Sequence, residues 1–167
     1  MTDLAPMRVA ERIGRVEHAL EDAGCDALVV THLTNIRYLS GFTGSAGMLV
    51  LKGGHAPLLV TDGRYEEQAT EQAAAAGTTV EVAVGRTLDA QRALIVDHLA
   101  QVARIGLEAD HVSWADQGRF AAWFASAELC PTTGLVEDGR SCKDPGEVDR
   151  IEAACAIADA APDTVAS

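Results

Sequence analysis

Basic residues are few and scattered: 13 Lys and Arg stand against 25 Asp and Glu, giving a formal net charge of −12. Phosphate contacts need clustered Lys and Arg, so this balance argues against nucleic acid as a partner. Long apolar runs are missing too. Met48 to Leu51 and Phe120 to Ala127 are among the longest, and both fall far short of a membrane span. Met1 to Pro6 has no basic stretch followed by apolar residues, so no secretory signal is visible. A soluble, cytoplasmic chain with no membrane partner is expected. Cys25, Cys130, Cys142 and Cys155 never adopt C-x-x-C spacing, which speaks against a structural zinc site or a thioredoxin-type motif. Four reduced thiols are expected, with Cys25 and Cys130 filling small volumes in the core.

Catalytic signatures are equally thin. The five histidines, His18, His32, His55, His98 and His111, show no H-E-x-x-H spacing, and no cysteine stands beside a base. His18 and His98 fall on predicted helices and read as surface or hydrogen-bonded residues. Gly44-Ser45-Ala46-Gly47 does not make a nucleophile elbow. Gly41, Gly44 and Gly47 match neither the phosphate loop nor the dinucleotide fingerprint, since no Lys follows them and no helix opens after them. The residues alone assign no catalytic or metal-binding role.

What is present is the make-up of a folded domain: 167 residues, 48% hydrophobic and 23% charged, enough to bury a core. A helix is predicted from Pro6 to Ala23, with Met7, Ile13, Val16 and Leu20 on one side and Gly24 as its stop. Asp26 to Val30 reads as a buried strand. Met48 to Leu51 and Pro57 to Val60 read as a hairpin across Lys52-Gly53-Gly54-His55. Helices follow at Arg64 to Ala76, Leu88 to Val102 and, capped by Ser113, to about Ala127. Strands fall at Thr79 to Val84, Arg104 to Glu108 and Leu129 to Val136. The alternation predicts an α/β fold with a mixed central sheet flanked by helices.

Two stretches carry the most side-chain chemistry. Thr31 to Gly47 reads as a strand end, a short turn and a glycine-punctuated loop, whose polar and aromatic residues would line a crevice at strand ends. Thr61-Asp62-Gly63-Arg64-Tyr65 reads as a strand end with Asp62 capping the next helix, and Arg64 and Tyr65 are residue types enriched at partner surfaces. Near the end, Asp144-Pro145-Gly146-Glu147 combines an N-cap acid, Pro at the first helical position and a third-position acid. Val148, Ile151, Cys155 and Ala158 then form an apolar stripe that is expected to bury against a neighbouring domain, the alternative being that it caps this one.

Asn35-Ile36-Arg37-Tyr38-Leu39-Ser40-Gly41-Phe42, followed by Gly44-Ser45, resembles the signature of the creatinase/prolidase N-terminal domain. Three more stretches fall in the family's order: Val60 to Tyr65 before a helix, Ile105 to Glu108 as a late strand, and Arg140 to Ile151 as the linker. The resemblance implies a ribonuclease-H-like α/β domain over 1–140, with 141–167 as linker and start of an absent "pita-bread" catalytic domain. It further implies a parent of the metal-dependent Xaa-Pro peptidases (M24B metallopeptidases), of aminopeptidase P or prolidase type, acting on proline-containing peptides. That catalytic domain holds two divalent ions, Mn, Co or Zn. Its ligand motifs do not occur here, so the fragment is expected to be inactive alone and to hold no cofactor. Implied partners are its own C-terminal catalytic domain and further copies in a homodimer or tetramer. Candidates for the substrate pocket or the interface are His32, Asn35, Arg37, Tyr38, Phe42, Arg64 and Tyr65. Two rival readings are a standalone oligomerisation or binding module and the N-terminal half of a creatinase-type amidinohydrolase.

Overall fold

Six short strands rich in Val, Leu and Ile form the centre of the computed structural model, which describes residues 4–165 and side chains through residue 160. Met1 to Asp3, ahead of the predicted first helix, and Ala166 and Ser167, at the end of the 141–167 segment, lie outside the described residues. The strands are β1 (Ala27–Val30), β2 (Gly47–Lys52), β3 (Leu58–Thr61), β4 (Glu81–Val84), β5 (Arg104–Glu108) and β6 (Glu128–Thr132). Their order in the sheet is β4-β3-β2-β1-β5-β6. β1–β2 and β2–β3 are antiparallel, while β3–β4, β1–β5 and β5–β6 are parallel, so the sheet is mixed.

The helices are α1 (Arg12–Asp22), α2 (Leu33–Ser40), α3 (Glu66–Ala75), α4 (Leu88–His98), α5 (Trp114–Trp123), α6 (Glu137–Ser141) and α7 (Pro145–Val165). Alternate residues of β1 feed two cores, as the two-residue period of a strand requires. Leu28 and Val30 pack with Ile13, Val16, Leu20, Ile36 and Leu39 of α1 and α2. Ala27 and Val29 pack with Ile95, Phe120 and Phe124 on the α4–α5 side. Both faces of β1 are therefore covered, which accounts for its unbroken apolar sequence.

Several elements differ from the sequence expectation. The first helix begins at Arg12, after a single 3₁₀ turn at Val9–Glu11. Ahead of it the chain is a strap along α7: the Ala5 N–H donates to Asp149 and the Arg8 N–H to Asp144. These backbone groups find long-range partners in place of helical ones, and Met7 stays exposed. The Thr31–Gly47 stretch is no simple loop, because α2 forms within it. Asp62 does not cap α3; it accepts the Arg64 N–H at 3.0 Å and closes the turn before the helix, which starts at Glu66. The last predicted strand stops at Thr132, and α6 follows. His98 is half-buried, and its Nε2 is enclosed with no hydrogen-bond partner among the described residues.

Other features agree with expectation. Gly24 adopts φ +68° just past α1, where a residue bearing Cβ would be strained. The Ser113 hydroxyl accepts the Asp116 N–H at 3.1 Å and so caps α5. Cys25 and Cys130 are buried, and all four cysteines are free thiols.

Candidate functional site

β1 and β5 run parallel, but the chain leaves their carboxyl ends toward opposite faces: α2 joins the α1 side and α5 the α4 side. A crevice at such a switch point is the usual binding position of an open α/β sheet. Glu108 ends β5 there and is buried. Its Oε2 accepts the N–H groups of Thr31 at 2.6 Å and His32 at 2.9 Å, the unpaired donors ahead of α2. Its Oε1 accepts from the Asn35 amide at 2.7 Å. A carboxylate at a helix N-terminus satisfies orphan donors and opposes the helix dipole. Tertiary structure thus makes the cap of α2, from a residue 76 positions beyond His32.

Asn35 is completely enclosed. Its amide also donates to Glu137 at 2.5 Å, and its Oδ1 accepts from Arg140 at 3.0 Å. Burial opposes ionisation of Glu137, but the Asn35 hydrogen bond, backbone donors and the charge of Arg140 hold its carboxyl below the usual range. The His32 ring stacks on His111 at 4.3 Å, with Nδ1 4.0 Å from Glu137. Outside this network lies a cleft of about 270 Å³ lined by Thr31, Leu88, His111, Arg119 and Trp123 among others.

The remaining sequence candidates lie in two other neighbourhoods. Tyr38 is buried beneath the Arg12 guanidinium, 4.1 Å from the ring centroid. Arg37, one residue earlier, is exposed on the rim of a groove. Phe42 is buried and meets Tyr65 edge-on at 5.7 Å; the Tyr65 and Ser45 hydroxyls are 2.7 Å apart. Arg64 is exposed and clamps Asp62 through two bonds of 3.0 and 2.8 Å, which hold the Asp62 carboxyl below its usual range. The structure therefore joins His32 with Asn35, and Phe42 with Arg64 and Tyr65. It does not gather all seven. Asn35, Tyr38 and Phe42 are covered by this chain's own atoms, so His32, Arg37, Arg64 and part of Tyr65 supply the accessible surface.

Sequence reasoning passed over Arg12, which is 3% exposed. Its Nη1 donates to the Tyr38 carbonyl at 2.9 Å and its Nη2 to Asp144 at 2.8 Å, with Glu147 at 3.3 Å. Spacing held the signal, since Arg12, Val16 and Leu20 recur at intervals of four on the buried side of α1. Asp144 and Glu147 complete the predicted capping box: each backbone N–H donates to the other's carboxylate, at 3.0 and 2.9 Å. Burial pushes Asp144 up, but the Arg12 hydrogen bond and the Arg8 and Glu147 N–H groups outweigh it and bring its pKa down to about 2.

In these neighbourhoods the Thr31 hydroxyl donates to Glu108 at 3.2 Å and the Ser45 hydroxyl meets that of Tyr65 at 2.7 Å. Among the described residues, no group of three or more His, Cys, Asp or Glu could hold a metal ion.

Comparison with known proteins agrees with this geometry. The sequence profile of the Creatinase/Prolidase N-terminal domain matches residues 12–142. The uncharacterized peptidase YqhT of Bacillus subtilis (strain 168) is 33% identical over 148 residues, which make up 89% of this chain and 40% of that protein. The Xaa-Pro dipeptidase from Bacillus anthracis superposes with a TM-score of 0.81 at 29% identity, over 94% of this chain and 42% of that one. The N-terminal domain of the cytoplasmic peptidase PepQ from Mycobacterium tuberculosis H37Rv gives a TM-score of 0.68 at 32% identity, over 77% of this chain and 98% of that one. The chain thus spans about two fifths of the length of the first two relatives. No described helix is long and apolar enough to cross a membrane.

Proposed function

Because the chain belongs to the creatinase/prolidase N-terminal domain family, we propose that it is the non-catalytic N-terminal part of a cytoplasmic, metal-dependent Xaa-Pro peptidase. In this reading residues 1–140 are the domain, and 141–167 lead into a catalytic domain that holds the divalent metal ions. When bound there, those ions supply the hydroxide that hydrolyses the bond before proline in a peptide. This chain's own residues supply surface: they pair copies into a homodimer or tetramer and shape a neighbouring active site. Half-buried His32 and exposed Arg37 and Arg64 make the contacts. Asn35, Tyr38 and Phe42 hold them from beneath.

The observation that carries this reading is α7. Its first turn is fixed to the domain by Arg12, Ala5 and Arg8, yet Val148, Ile151 and Cys155, which share one side of it, are exposed. An anchored helix with an uncovered apolar face is suited to dock a following domain. The family match ends at residue 142, just before α7, which supports the same division.

Two measurements test the proposal. The pure chain with added manganese should leave an Xaa-Pro dipeptide intact, and metal-stimulated turnover would overturn the reading. In a longer protein carrying the catalytic domain, Arg37→Ala and Tyr38→Ala should change KM or the oligomeric state. If neither moves, the contact role is wrong.

A further inference from the structure

The basic residues of this acidic chain are not evenly spread. Arg12, Arg37, Arg140, Lys143 and Arg150, five of its 13 Lys and Arg, line one open groove of about 740 Å³ between the N-terminal strap, α2, the end of α3 and the start of α7. Nearby acids are already engaged. Glu147 accepts the Asp144 N–H and sits by Arg12, Asp144 binds Arg12, and Asp149 accepts the Ala5 N–H. The other cations donate to neutral acceptors, with Glu137 beside Arg140 one further acid in reach. Arg140 donates to the Asn35 amide oxygen, Arg150 to the carbonyls of Ala5 and Gly146 at 2.7 Å, and Lys143 to the Arg140 carbonyl. Among the described residues, none of Arg37, Arg140, Lys143 and Arg150 forms an ion pair.

Neutral acceptors satisfy N–H groups but leave positive charge concentrated in one concavity. The walls include apolar Pro6, Met7, Val9, Ala75 and Ala76. The one aromatic ring of the lining, Tyr38, is covered by Arg12, so a nucleobase finds no free stacking face. Guanidinium forks on an apolar floor suit carboxylates carried on an apolar backbone. We propose that this groove binds an acidic peptide segment of a separate polypeptide. Its carboxylates meet Arg37, Arg140 and Lys143, and its small apolar side chains lie on the strap and the end of α3. The acids beside the groove are committed to Arg12 and the strap, so a separate polypeptide is the occupant chosen for test. The volume falls within the roughly 300–1,000 Å³ of ligand sites and takes a short extended segment. The inference is independent of the peptidase reading and is tested on this chain alone.

Calorimetric titration of the 167-residue chain at 0.1 M salt would use three probes: acetyl-Glu-Ala-Leu-Glu-Ala-Glu-amide, its glutamine counterpart and inorganic phosphate. The acidic peptide should saturate, and the glutamine counterpart should bind at least about 10-fold more weakly, since each lost charge-assisted bond is worth about that factor. Arg37→Ala and Lys143→Ala should each weaken binding about 3- to 10-fold with unchanged Tm, because neither has an ion-pair partner to lose. Raising salt to 1 M, where the screening length falls from about 10 Å to about 3 Å, should weaken it further. Equal binding of the glutamine peptide, phosphate binding as tightly as the peptide, indifference to both alanine variants, or absence of saturation would each overturn the proposal.

Discussion

Replacing Asp144 by asparagine removes one negative charge while keeping the shape of a good helix cap. In the native chain Asp144 Oδ2 is 2.8 Å from the buried Arg12 guanidinium and also accepts the Arg8 N–H, while Oδ1 caps α7 through the Glu147 N–H. Two independent magnitudes bear on the loss. A hydrogen bond to a charged group contributes about 1.5–3 kcal/mol. A fall in pKa from the model-peptide 3.8 to about 2 corresponds to about 2 kcal/mol. Asp144→Asn should therefore cost about 2 kcal/mol at pH 7, or about 4–8 °C in Tm for a domain of this size. The pH dependence separates charge from shape. A depressed carboxylate pKa stabilises above the unfolded value and loses that stabilisation as pH falls from 3.8 through about 2. Urea unfolding followed by circular dichroism should give the same difference between variant and native chain at pH 7 and pH 4.5, shrinking to under about 1 kcal/mol at pH 2.5. A loss that stays constant across this range would make the defect one of packing or capping. No loss at pH 7 would mean that the Arg12–Asp144 contact contributes nothing, and the anchoring of α7 would need another cause.

Glu108→Gln should destabilise the chain by about 2–4 kcal/mol in denaturant titration, because two backbone donors at the start of α2 lose a charged acceptor; a change under about 0.5 kcal/mol would remove Glu108 as the reason α2 forms. Two glycine substitutions should act in opposite directions. Gly14→Ala, on the open face of α1 with nothing within 4 Å of the new Cβ, should stabilise by about 0.5–1 kcal/mol. Gly146→Ala would set its Cβ 2.6 Å from the Pro6 carbonyl oxygen and 2.7 Å from that of Ala5, so hydrogen exchange at the Ala5 amide should quicken as the strap lifts. His98 is held below its usual pKa by burial, then by Lys52 and His55. Its neutral form stabilises the fold above pH 6.5 and that contribution fades as pH falls below it, so His98→Gln should flatten the acid side of a Tm-against-pH curve.

Local chemistry made most of this fold readable. β1 shows itself by continuous branched aliphatics, α5 by its Ser113 cap, and the start of α7 by a capping box that the structure closes reciprocally. Three of the misses share one physical cause, a partner distant in sequence. Leu33 to Ser40 looks like a loop because its N-cap, His32, makes no side-chain cap bond; Glu108 makes the cap from β5. Residues 6–8 look helical because Met7 falls on the apolar side, but the Arg8 amide is drawn to Asp144 and the preceding Ala5 amide to Asp149. His32 and Asn35 were named as candidates because they fall in the polar and aromatic stretch from Thr31 to Gly47. Arg12 was not, because a charged residue on an apolar stripe declares itself only when its counter-charges, 132 and more residues away, are in place.

The volumes at the carboxyl end of the sheet bear on where the chemistry of such a protein can sit. Beside Glu108 the free space is about 20 Å³, room for a single water. Asn35, Glu108, Glu137 and Arg140 occupy with their own hydrogen bonds the switch point that a ligand fills in many α/β sheets. The neighbouring cleft, about 270 Å³, lies at the small end for a ligand site and is lined by Leu88 and His111 among others. Trp114, at the start of α5, is 89% exposed and stands at this same end of the sheet, as does the exposed Leu88. A cleft too small to enclose a peptide, flanked by large uncovered apolar side chains, becomes a useful pocket only when a second surface closes it. The site-shaping role proposed above would draw on this end of the sheet as one wall, with the opposite wall coming from another domain or another copy.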